Sequence, residues 1–553
     1  MYFNMQADRP EKQQSKTRLI LIILLGVSIP IIFGLISLWF GKDTNWDLQN
    51  YHYYNGYAFL QNRMGFDIAP AQMQTYFNPI LDVLFYFLAR SFPSSVVGFI
   101  YGSFHGLNLS LIFLLFWILS KSIKNTNKYI FAICLVIISG TGPAFLSELG
   151  NTMNDNLTSV ITLLVLVLFV ISSVNLNNGR DKAGYIQVGI AGLLMGLNLG
   201  LKLSISGFVV CTAICLPILY RSFRSKVVSL GIYAVTGLIG FLASNGFWMW
   251  NLWVKFGNPF FPYYNNLFQS PYAAPSQFMD LRFLPATLSE YLTWPIVIST
   301  NSRRVCELLF SDLRFGLLYA VLIVWIVYFI FGLIRSAFGS STYQNNQYLF
   351  DTRISNFLLA FVVSAFILWM IQFSIYRYLV TLELLVPICF LLLLDRIFQR
   401  KWVIPVIMFA AIVAGTSIYA PLNWGRTSWS DPYIQVDTSQ FQPGDRAVVV
   451  MLGMSPISYV IPDFPKEFRF VRPQANLMAT YKYGLFDEIS AVIRNTKDPI
   501  YLLYDKNDPS VDLNKGLSGL KLTLVTDTCT TLTSSLPGEL ALCKAIKSDN
   551  ISN

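Results

Sequence analysis

The residues most suited to chemistry lie in one polar stretch that follows the first apolar run of the chain. Trp46 precedes Asp47, and Tyr51, His52 and Tyr54 follow within a few positions. On an α-helix Asp47, Tyr51 and Tyr54 would share one face, because they are spaced i, i+4 and i+7. A carboxylate next to an imidazole is suited to general acid–base catalysis. A belt of aromatic residues at the lipid headgroups is the alternative interpretation of the same stretch.

A second acidic stretch contains Glu148, Thr152 and Asp155, again spaced i, i+4 and i+7. A helical turn over these residues would present both carboxylates together. The alternative is that Asn154 or Asp155 caps the next helix, which accounts for one acid and leaves Glu148 unexplained. We therefore expect Glu148 and Asp155 to belong to the functional site.

Basic residues that suit an anionic ligand occur in later loops. Lys202 ends an apolar run, where it either reaches back to the membrane interface or binds an anion. The guanidinium group is a planar fork that matches phosphate oxygens. Ion pairs with acids such as Glu307 or Glu383 are the alternative role for the arginines. The candidate ligand-binding residues of these loops are Lys202, Arg303, Arg304, Tyr376 and Arg377.

The composition places the chain among helical membrane proteins. Of its 553 residues 54% are hydrophobic and 13% are charged, and the mean hydropathy is +0.51. Apolar runs of about 18–24 residues match the hydrocarbon thickness of a bilayer. The net charge of +10 does not indicate nucleic acid, because most Lys and Arg residues lie in short loops, where they set membrane orientation.

The basic loops predict the topology. If all of them are cytoplasmic, the N-terminus is cytoplasmic too and the chain crosses the membrane about eleven times. The predicted spans are residues 19–40, 96–120, 129–147, 157–174, 185–201, 205–220, 227–248, 315–334, 356–374, 378–394 and 402–420. This gives a membrane domain over residues 1–420, with an outer loop at 41–95, and an extracytoplasmic domain over residues 421–553.

One apolar stretch, residues 78–90, is too short to cross the membrane and carries Asp82. Counting it as a span would place every later basic loop outside. We therefore predict a helix that lies along the membrane surface.

The pattern of the polar tail predicts a small α/β domain. Residues 447–452 and 500–504 are predicted strands, and residues 486–494 have helical periodicity. Cys529 and Cys543 lie in this tail, and on an oxidising side of the membrane they would form a disulfide. Such a bond would stabilise the tail by about 3 kcal/mol.

Several common catalytic motifs are absent from the sequence. It has no glycine-rich phosphate loop with Lys, no HExxH, no pair of CxxC motifs and no GxSxG. Nucleotide hydrolysis, zinc chemistry and a serine triad therefore have no support, and polar residues at the outer membrane face favour a substrate that is delivered as a lipid.

The arrangement resembles the GT-C glycosyltransferase superfamily, which includes protein O-mannosyltransferases and lipid A aminoarabinose transferases. Asp47 with Tyr51 and His52 looks like the first-loop motif of that superfamily. Asn78 begins a segment similar to its Pro-Pro-Leu stretch, Asp155 matches its second-loop Asp, and Lys202 falls where several members have Lys. Residues 257–262 and 377–379 are also similar to segments of bacterial relatives.

This resemblance implies an inverting transferase in a bacterial inner membrane. The donor would be a sugar on a polyprenyl phosphate, and the acceptor a glycan, a lipid or a protein. Asp47 would be the base, with His52, Glu148 and Asp155 also catalytic. The remaining candidates would bind substrate, namely Tyr51, Tyr54, Asn78, Lys202, Arg303, Arg304, Tyr376 and Arg377.

Two departures from the family pattern leave metal dependence and the subfamily open. Leu48 replaces an acid that often follows the first Asp, and Leu203 and Ser204 replace small residues after Lys. No cofactor is required by the sequence, and a divalent metal is compatible with it. A lipid-linked glycan ligase or polymerase is one alternative function. A lipid-linked sugar flippase or transporter is the other, although that class needs polar residues near the middle of its spans.

Overall fold

A computed structural model describes residues 8–120, 125–337, 348–398 and 423–548, with residues 123 and 406 described singly. The predicted span over residues 402–420 lies outside the described residues, apart from residue 406. The described chain is mostly helical, as the sequence predicts.

Eight helices of the described ranges are long and apolar enough to cross a membrane. They are Ile23–Phe40, Ser94–Leu119, Asp155–Asn177, Asp181–Leu201, Phe223–Phe256, Arg314–Arg335, Thr352–Gln372 and Tyr376–Phe398. Shorter apolar helices, Lys128–Gly140 and Leu203–Leu219, occupy two further predicted spans. The helical membrane class is thus supported, and the number of about eleven spans stays a prediction.

The helices are named here in chain order. They are α1 Asp8–Phe40, α2 Tyr53–Leu60, α3 Ile80–Ser91, α4 Ser94–Leu119, α5 Asn125–Gly140, α6 Pro143–Ser147, α7 Asp155–Asn177, α8 Asp181–Leu201, α9 Ser206–Cys215, α10 Phe223–Phe256, α11 Asn265–Phe268, α12 Leu288–Thr300, α13 Arg314–Ala337, α14 Thr352–Gln372, α15 Val380–Phe398, α16 Gly484–Asn495 and α17 Leu513–Leu520.

The strands are named in the same way. They are β1 Lys42–Asp43, β2 Arg426–Thr427, β3 Val448–Met451, β4 Arg469–Val471, β5 Ile500–Asp505, β6 Leu522–Leu524, β7 Thr530–Leu532 and β8 Leu540–Lys547.

The chain divides into two compact units. Unit 1 comprises Met1–Phe40, Phe99–Phe241 and Arg282–Asn423, and unit 2 comprises Gly41–Gly98, Leu242–Leu281 and Trp424–Asn553. In unit 1 the most buried long helix is α15, which packs against α5, α7, α13 and α14. Its leucines and isoleucines are buried almost all round, as expected of a helix at the centre of a bundle.

Unit 2 contains a six-stranded sheet in the order β4-β3-β5-β8-β6, with β7 paired to β8. Strands β3, β4 and β5 are parallel, and β8 is antiparallel to β5, β6 and β7. Strands β3 and β5 and helix α16 match the strands and helix predicted for the tail. The predicted Cys529–Cys543 disulfide is also present.

The loop over residues 41–95 is hydrogen-bonded to the tail within unit 2. Arg63 forms a 2.7 Å ion pair with Asp67 and donates to the carbonyls of Lys466 and Phe468. The Phe470 amide donates to Asp67 Oδ1. Burial raises the pKa of Asp67, while Arg63 and the Phe470 amide oppose that shift. Because this ion pair is buried and both of its members are hydrogen-bonded to the backbone of residues 466–470, it fixes the loop against β4.

The predicted surface helix is α3, which has 12 residues and is too short to span a bilayer. Its residues Asp82, Phe85 and Ala89 are buried, whereas Leu84 and Phe87 are exposed. An exposed apolar face on a short helix fits a position at the membrane surface, which stays a prediction.

Candidate functional site

The first-loop acid precedes an irregular helical segment in unit 2. Leu48–His52 is a π-helical turn, and the Tyr53 amide closes it by donating to the Leu48 carbonyl. The wider turn changes the direction of every later side chain relative to Asp47. The uninterrupted α-helix assumed for the spacing of Asp47, Tyr51 and Tyr54 is therefore wrong. π turns of this kind are frequent at functional sites.

His52 and Asp82 form the closest acid–base contact of this segment. Nδ1 of His52 lies 2.6 Å from Oδ1 of Asp82, and both side chains are about 95% buried. Burial raises the pKa of the Asp82 carboxyl group, His52 and the Asn55 side chain lower it, and the charge of Asp47 raises it further. Asp47 therefore lies close enough for its charge to act on Asp82.

The contact between His52 and Asp82 depends on a glycine. A Cβ atom at Gly56 would collide with the Asp82 carbonyl oxygen, so only glycine lets α2 and α3 approach this closely. Asp82 has no role in the prediction from sequence. A usable signal was present, because Asp82 lies on the same helical face as Phe85 and Ala89, and an acid on a buried face needs a partner.

The other predicted first-loop residues have different surroundings in unit 2. The Tyr54 hydroxyl donates to Asp67 Oδ2 at 2.9 Å, and the residue is 1% exposed. The half-buried Tyr51 packs its ring 4.1 Å from the His52 ring. The Asn78 side chain donates to the Ser244 carbonyl and accepts from the Ile80 amide. Of these three, only Tyr51 is in ring contact with the His52–Asp82 pair.

Glu148 and Asp155 lie in the loop between α6 and α7 of unit 1. The α6 helix ends at Ser147, and turns and bends cover the residues up to Asp155, which opens α7. Asn154 has a φ of 66°, in the left-handed region, and makes no side-chain cap. The predicted helical turn is therefore wrong, but the charge of Asp155 still acts on Glu148. A loop, rather than a helix face, brings the two acids together.

Lys202 pairs with the second-loop acid. Its Nζ donates to Asp155 Oδ1 and to the Met153 carbonyl, the latter at 2.8 Å. The Tyr378 ring lies 5.5 Å from the same Nζ. The Lys202 side chain is 20% exposed and that of Asp155 only 4%, so the ion pair has one accessible side. An ammonium group has three N–H donors, and these two bonds use two of them.

Glu148 is completely buried, and the charges of Asp155 and Lys202 act on it. Neither carboxylate oxygen makes a hydrogen bond of ordinary geometry to a described residue. Burial, followed by the Asp155 charge, raises the pKa of Glu148 well above its usual range, and Lys202, Arg377 and the Asn156 amide oppose the shift. We call Glu148, Asp155, Lys202 and Arg377 the unit 1 charge cluster.

A second buried group holds the helix that ends before Glu148. Glu383 accepts the amides of Ala144 and Phe145 at 3.0 Å, which are the first free N–H groups of α6. The Tyr376 hydroxyl lies 2.8 Å from Glu383 Oε2 and from Asp312 Oδ2. Since Tyr376 is 1% exposed, the structure places it in this network, while the adjacent Arg377 acts on Glu148.

The remaining predicted arginines lie near the surface of unit 1. Arg303 is exposed, and Arg304 forms a 3.1 Å ion pair with Glu290. Glu307 pairs with Arg282 at 3.2 Å. The ion pair considered as the alternative role is thus found for Arg304, with Glu290 as its partner.

A metal site would need several acidic, His or Cys side chains around one point. Within the described residues, no three such side chains are arranged to hold an ion. Asp155 is bonded to Lys202 and Asp82 to His52, so each acid already has a partner on one oxygen. In the described part of the chain, the residues present do not assemble a donor set for a metal.

The chain matches no protein-family model and no curated protein. It is similar to three solved structures of the oligosaccharyltransferase from Archaeoglobus fulgidus. The complex with zinc and sulfate and the form tethered to an acceptor peptide each have a TM-score of 0.45 and 12% identity, and the apo form has 0.41 and 13%. The matches cover 87–88% of this chain and 68–69% of those chains. A likeness at this level assigns neither a family nor an activity.

Proposed function

We propose that this chain is an inverting membrane glycosyltransferase that moves a sugar from a polyprenyl-phosphate donor to a glycan, lipid or protein acceptor at the outer membrane face. The unit 1 charge cluster is the observation that carries the proposal. It combines two basic side chains with one paired carboxylate and one buried acid of raised pKa. When Glu148 is protonated, this group has a net positive charge and suits an anionic phosphate.

Lys202 is the strongest candidate for contact with the phosphate. Two of its N–H donors are bonded to Asp155 and Met153, so the third is available to a phosphate oxygen. Asp155 holds the ammonium group in place without neutralising the whole cluster. Arg377 supplies the second cation, which would stabilise the negative charge that develops on the departing phosphate.

Asp47 is the proposed base. It would take the proton of the acceptor hydroxyl while that oxygen bonds to the anomeric carbon of the sugar. The bond between the anomeric carbon and the phosphate oxygen breaks in the same step, and its electron pair leaves with the polyprenyl phosphate. The stereochemistry inverts because the acceptor attacks the face opposite to the leaving group.

The decisive test is Asp47→Asn, which keeps the size of the side chain and removes its basicity. We expect turnover to fall by at least about a hundredfold while donor binding is retained. Asp437→Asn, at an exposed acid of the same unit, is the control and should leave turnover unchanged. Asp155→Asn should cost less than Asp47→Asn. An active Asp47→Asn with an inactive Asp155→Asn would move the base to the second loop.

The location of the functional site at the outer membrane face needs a separate measurement. Reporter fusions after Ser340 and after Asp445 should report the cytoplasm and the outside, respectively, because the first position lies in a basic loop and the second lies in the tail. Two reporters on the same side would refute the topology and the location of the site.

A further inference from the structure

The two nitrogens of the His52 imidazole differ in their hydrogen bonding within the described residues. Nδ1 lies 2.6 Å from Asp82 Oδ1, which is slightly shorter than the usual length of about 2.7–2.9 Å for a charge-assisted N–H···O hydrogen bond. Nε2 is buried and has no hydrogen-bond partner among the described residues. A buried polar atom without a partner is uncommon in a native structure and often marks a functional position.

The Asp82 contact determines which nitrogen carries the proton. An ionised carboxylate only accepts hydrogen bonds, so the neutral imidazole must place its proton on Nδ1 and leave a lone pair on Nε2. The opposite arrangement would put a proton on Asp82 and turn Nε2 into a donor. The two arrangements therefore predict opposite chemistry for the buried nitrogen.

We propose that Asp82 is a positioning residue, which holds His52 with its proton on Nδ1 so that Nε2 accepts a hydrogen bond from a substrate hydroxyl. The identity of the ligand rests on the proposed function, since both a sugar donor and its acceptor carry hydroxyl groups. Proton transfer stays with Asp47, and His52 has a binding role.

The surroundings of His52 fit this role. The half-buried Tyr51 packs against the imidazole, and Phe77 packs edge-on against Tyr51 with ring centroids 5.5 Å apart. A few fixed polar atoms among aromatic rings are typical of small-molecule sites. The Tyr51 ring is half-buried and the His52 ring is buried, so Tyr51 is the more accessible of these two rings.

The tautomer can be measured without any substrate. The chain has two histidines, so ¹⁵N-histidine labelling with His105→Gln gives an assigned solid-state NMR signal for His52 in lipid. We expect a protonated Nδ1 and an unprotonated Nε2. In Asp82→Leu, whose side chain neither donates nor accepts a hydrogen bond, Nδ1 loses its acceptor, so a signal for protonated Nε2 should appear. Asp463→Asn, at a half-buried acid that pairs with Arg90, is the control and should leave the signal unchanged.

A protonated Nε2 in the otherwise unchanged protein would overturn the proposal, whether or not Asp82→Leu folds. The same tautomer before and after the Asp82→Leu substitution would overturn it as well, because Asp82 would then have only a packing role.

The ligand is tested with three probes: a short polyprenyl phosphate, the same lipid carrying glucose, and methyl glucoside. A change in the Nε2 signal with the glucose-bearing lipid alone would place a donor hydroxyl at His52. A change with methyl glucoside would place an acceptor hydroxyl there. In the responding case, Asp82→Leu should weaken binding about tenfold. An unchanged signal with all three probes would overturn the recognition role.

Failure of the proposed function would look different. The ³¹P signal of the lipid phosphate reports binding to the protein independently of His52. If that signal never changes while Nε2 is unprotonated and responds to methyl glucoside, the lipid donor is wrong and the role of Asp82 stands.

Discussion

Two buried glutamates of unit 1, at opposite ends of the short helix α6, differ in the hydrogen bonds that their carboxylate oxygens accept. Glu383 accepts two backbone amides and lies within hydrogen-bond distance of the Tyr376 hydroxyl. Glu148 is equally buried but makes no hydrogen bond of ordinary geometry to a described residue. A fully bonded buried acid stabilises the fold, whereas a buried acid without ordinary hydrogen bonds costs stability when it is ionised and is more consistent with function.

The largest expected effect is at the structural glutamate. Glu383→Ala would leave the Ala144 and Phe145 amides without their acceptor, remove a partner of Tyr376 and open a cavity. We expect the free energy of unfolding to fall by about 3–5 kcal/mol. Denaturant unfolding in detergent measures this, and Glu290→Ala, at a more exposed acid of the same unit, should have little effect. If Glu383→Ala is as stable as the unchanged protein, Glu383 has no structural role and the contrast with Glu148 is lost.

The next effect is at the two cations of the charge cluster. Lys202→Met and Arg377→Met should each weaken binding of the polyprenyl-phosphate donor by roughly ten- to a hundredfold, since a charge-assisted hydrogen bond is worth about 1.5–3 kcal/mol. Equilibrium binding to the purified protein measures the change, and Lys182→Met, at an exposed position, is the control. Unchanged donor affinity in both variants would make the cluster structural, like the group around Glu383.

The smallest effect is the pH dependence conferred by Glu148. An acid with a raised pKa in the folded state binds its proton more tightly when folded than when unfolded. The contribution of this proton to the free energy of unfolding is therefore complete below the ordinary pKa of Glu. It is lost as the pH rises toward the raised pKa, by about 1.4 kcal/mol per pH unit. Asp155, Lys202 and Arg377 are the charged groups that act on it.

Glu148→Gln should remove that pH dependence, because glutamine mimics the protonated acid at every pH. Unfolding measured between about pH 5 and pH 8 should give a flatter profile for the variant than for the unchanged protein. Parallel profiles would mean that Glu148 is ionised in the folded state, and the net positive charge assigned to the cluster would then be wrong.

Much of the architecture could be predicted because it depends on local patterns. Long apolar runs form helices, since in a bilayer a helix satisfies all backbone hydrogen bonds within one segment. The tail strands β3 and β5 are continuous runs rich in Val, Ile and Leu, which is typical of strands buried in a parallel sheet. The Cys529–Cys543 disulfide could be anticipated because both residues lie in the same polar tail.

The sequence also determined which residue types were available at the candidate site, but it did not determine their partners. His52 and Asp82 are 30 positions apart, Lys202 and Asp155 are 47 apart, and Glu383 meets α6 across 239 positions. The spacing rule that grouped Asp47 with Tyr51 and Tyr54 failed at a π turn, and the rule that grouped Glu148 with Asp155 failed at a loop. Periodicity describes regular helices alone, whereas only the packing of distant segments decides which buried acid receives a partner and which does not.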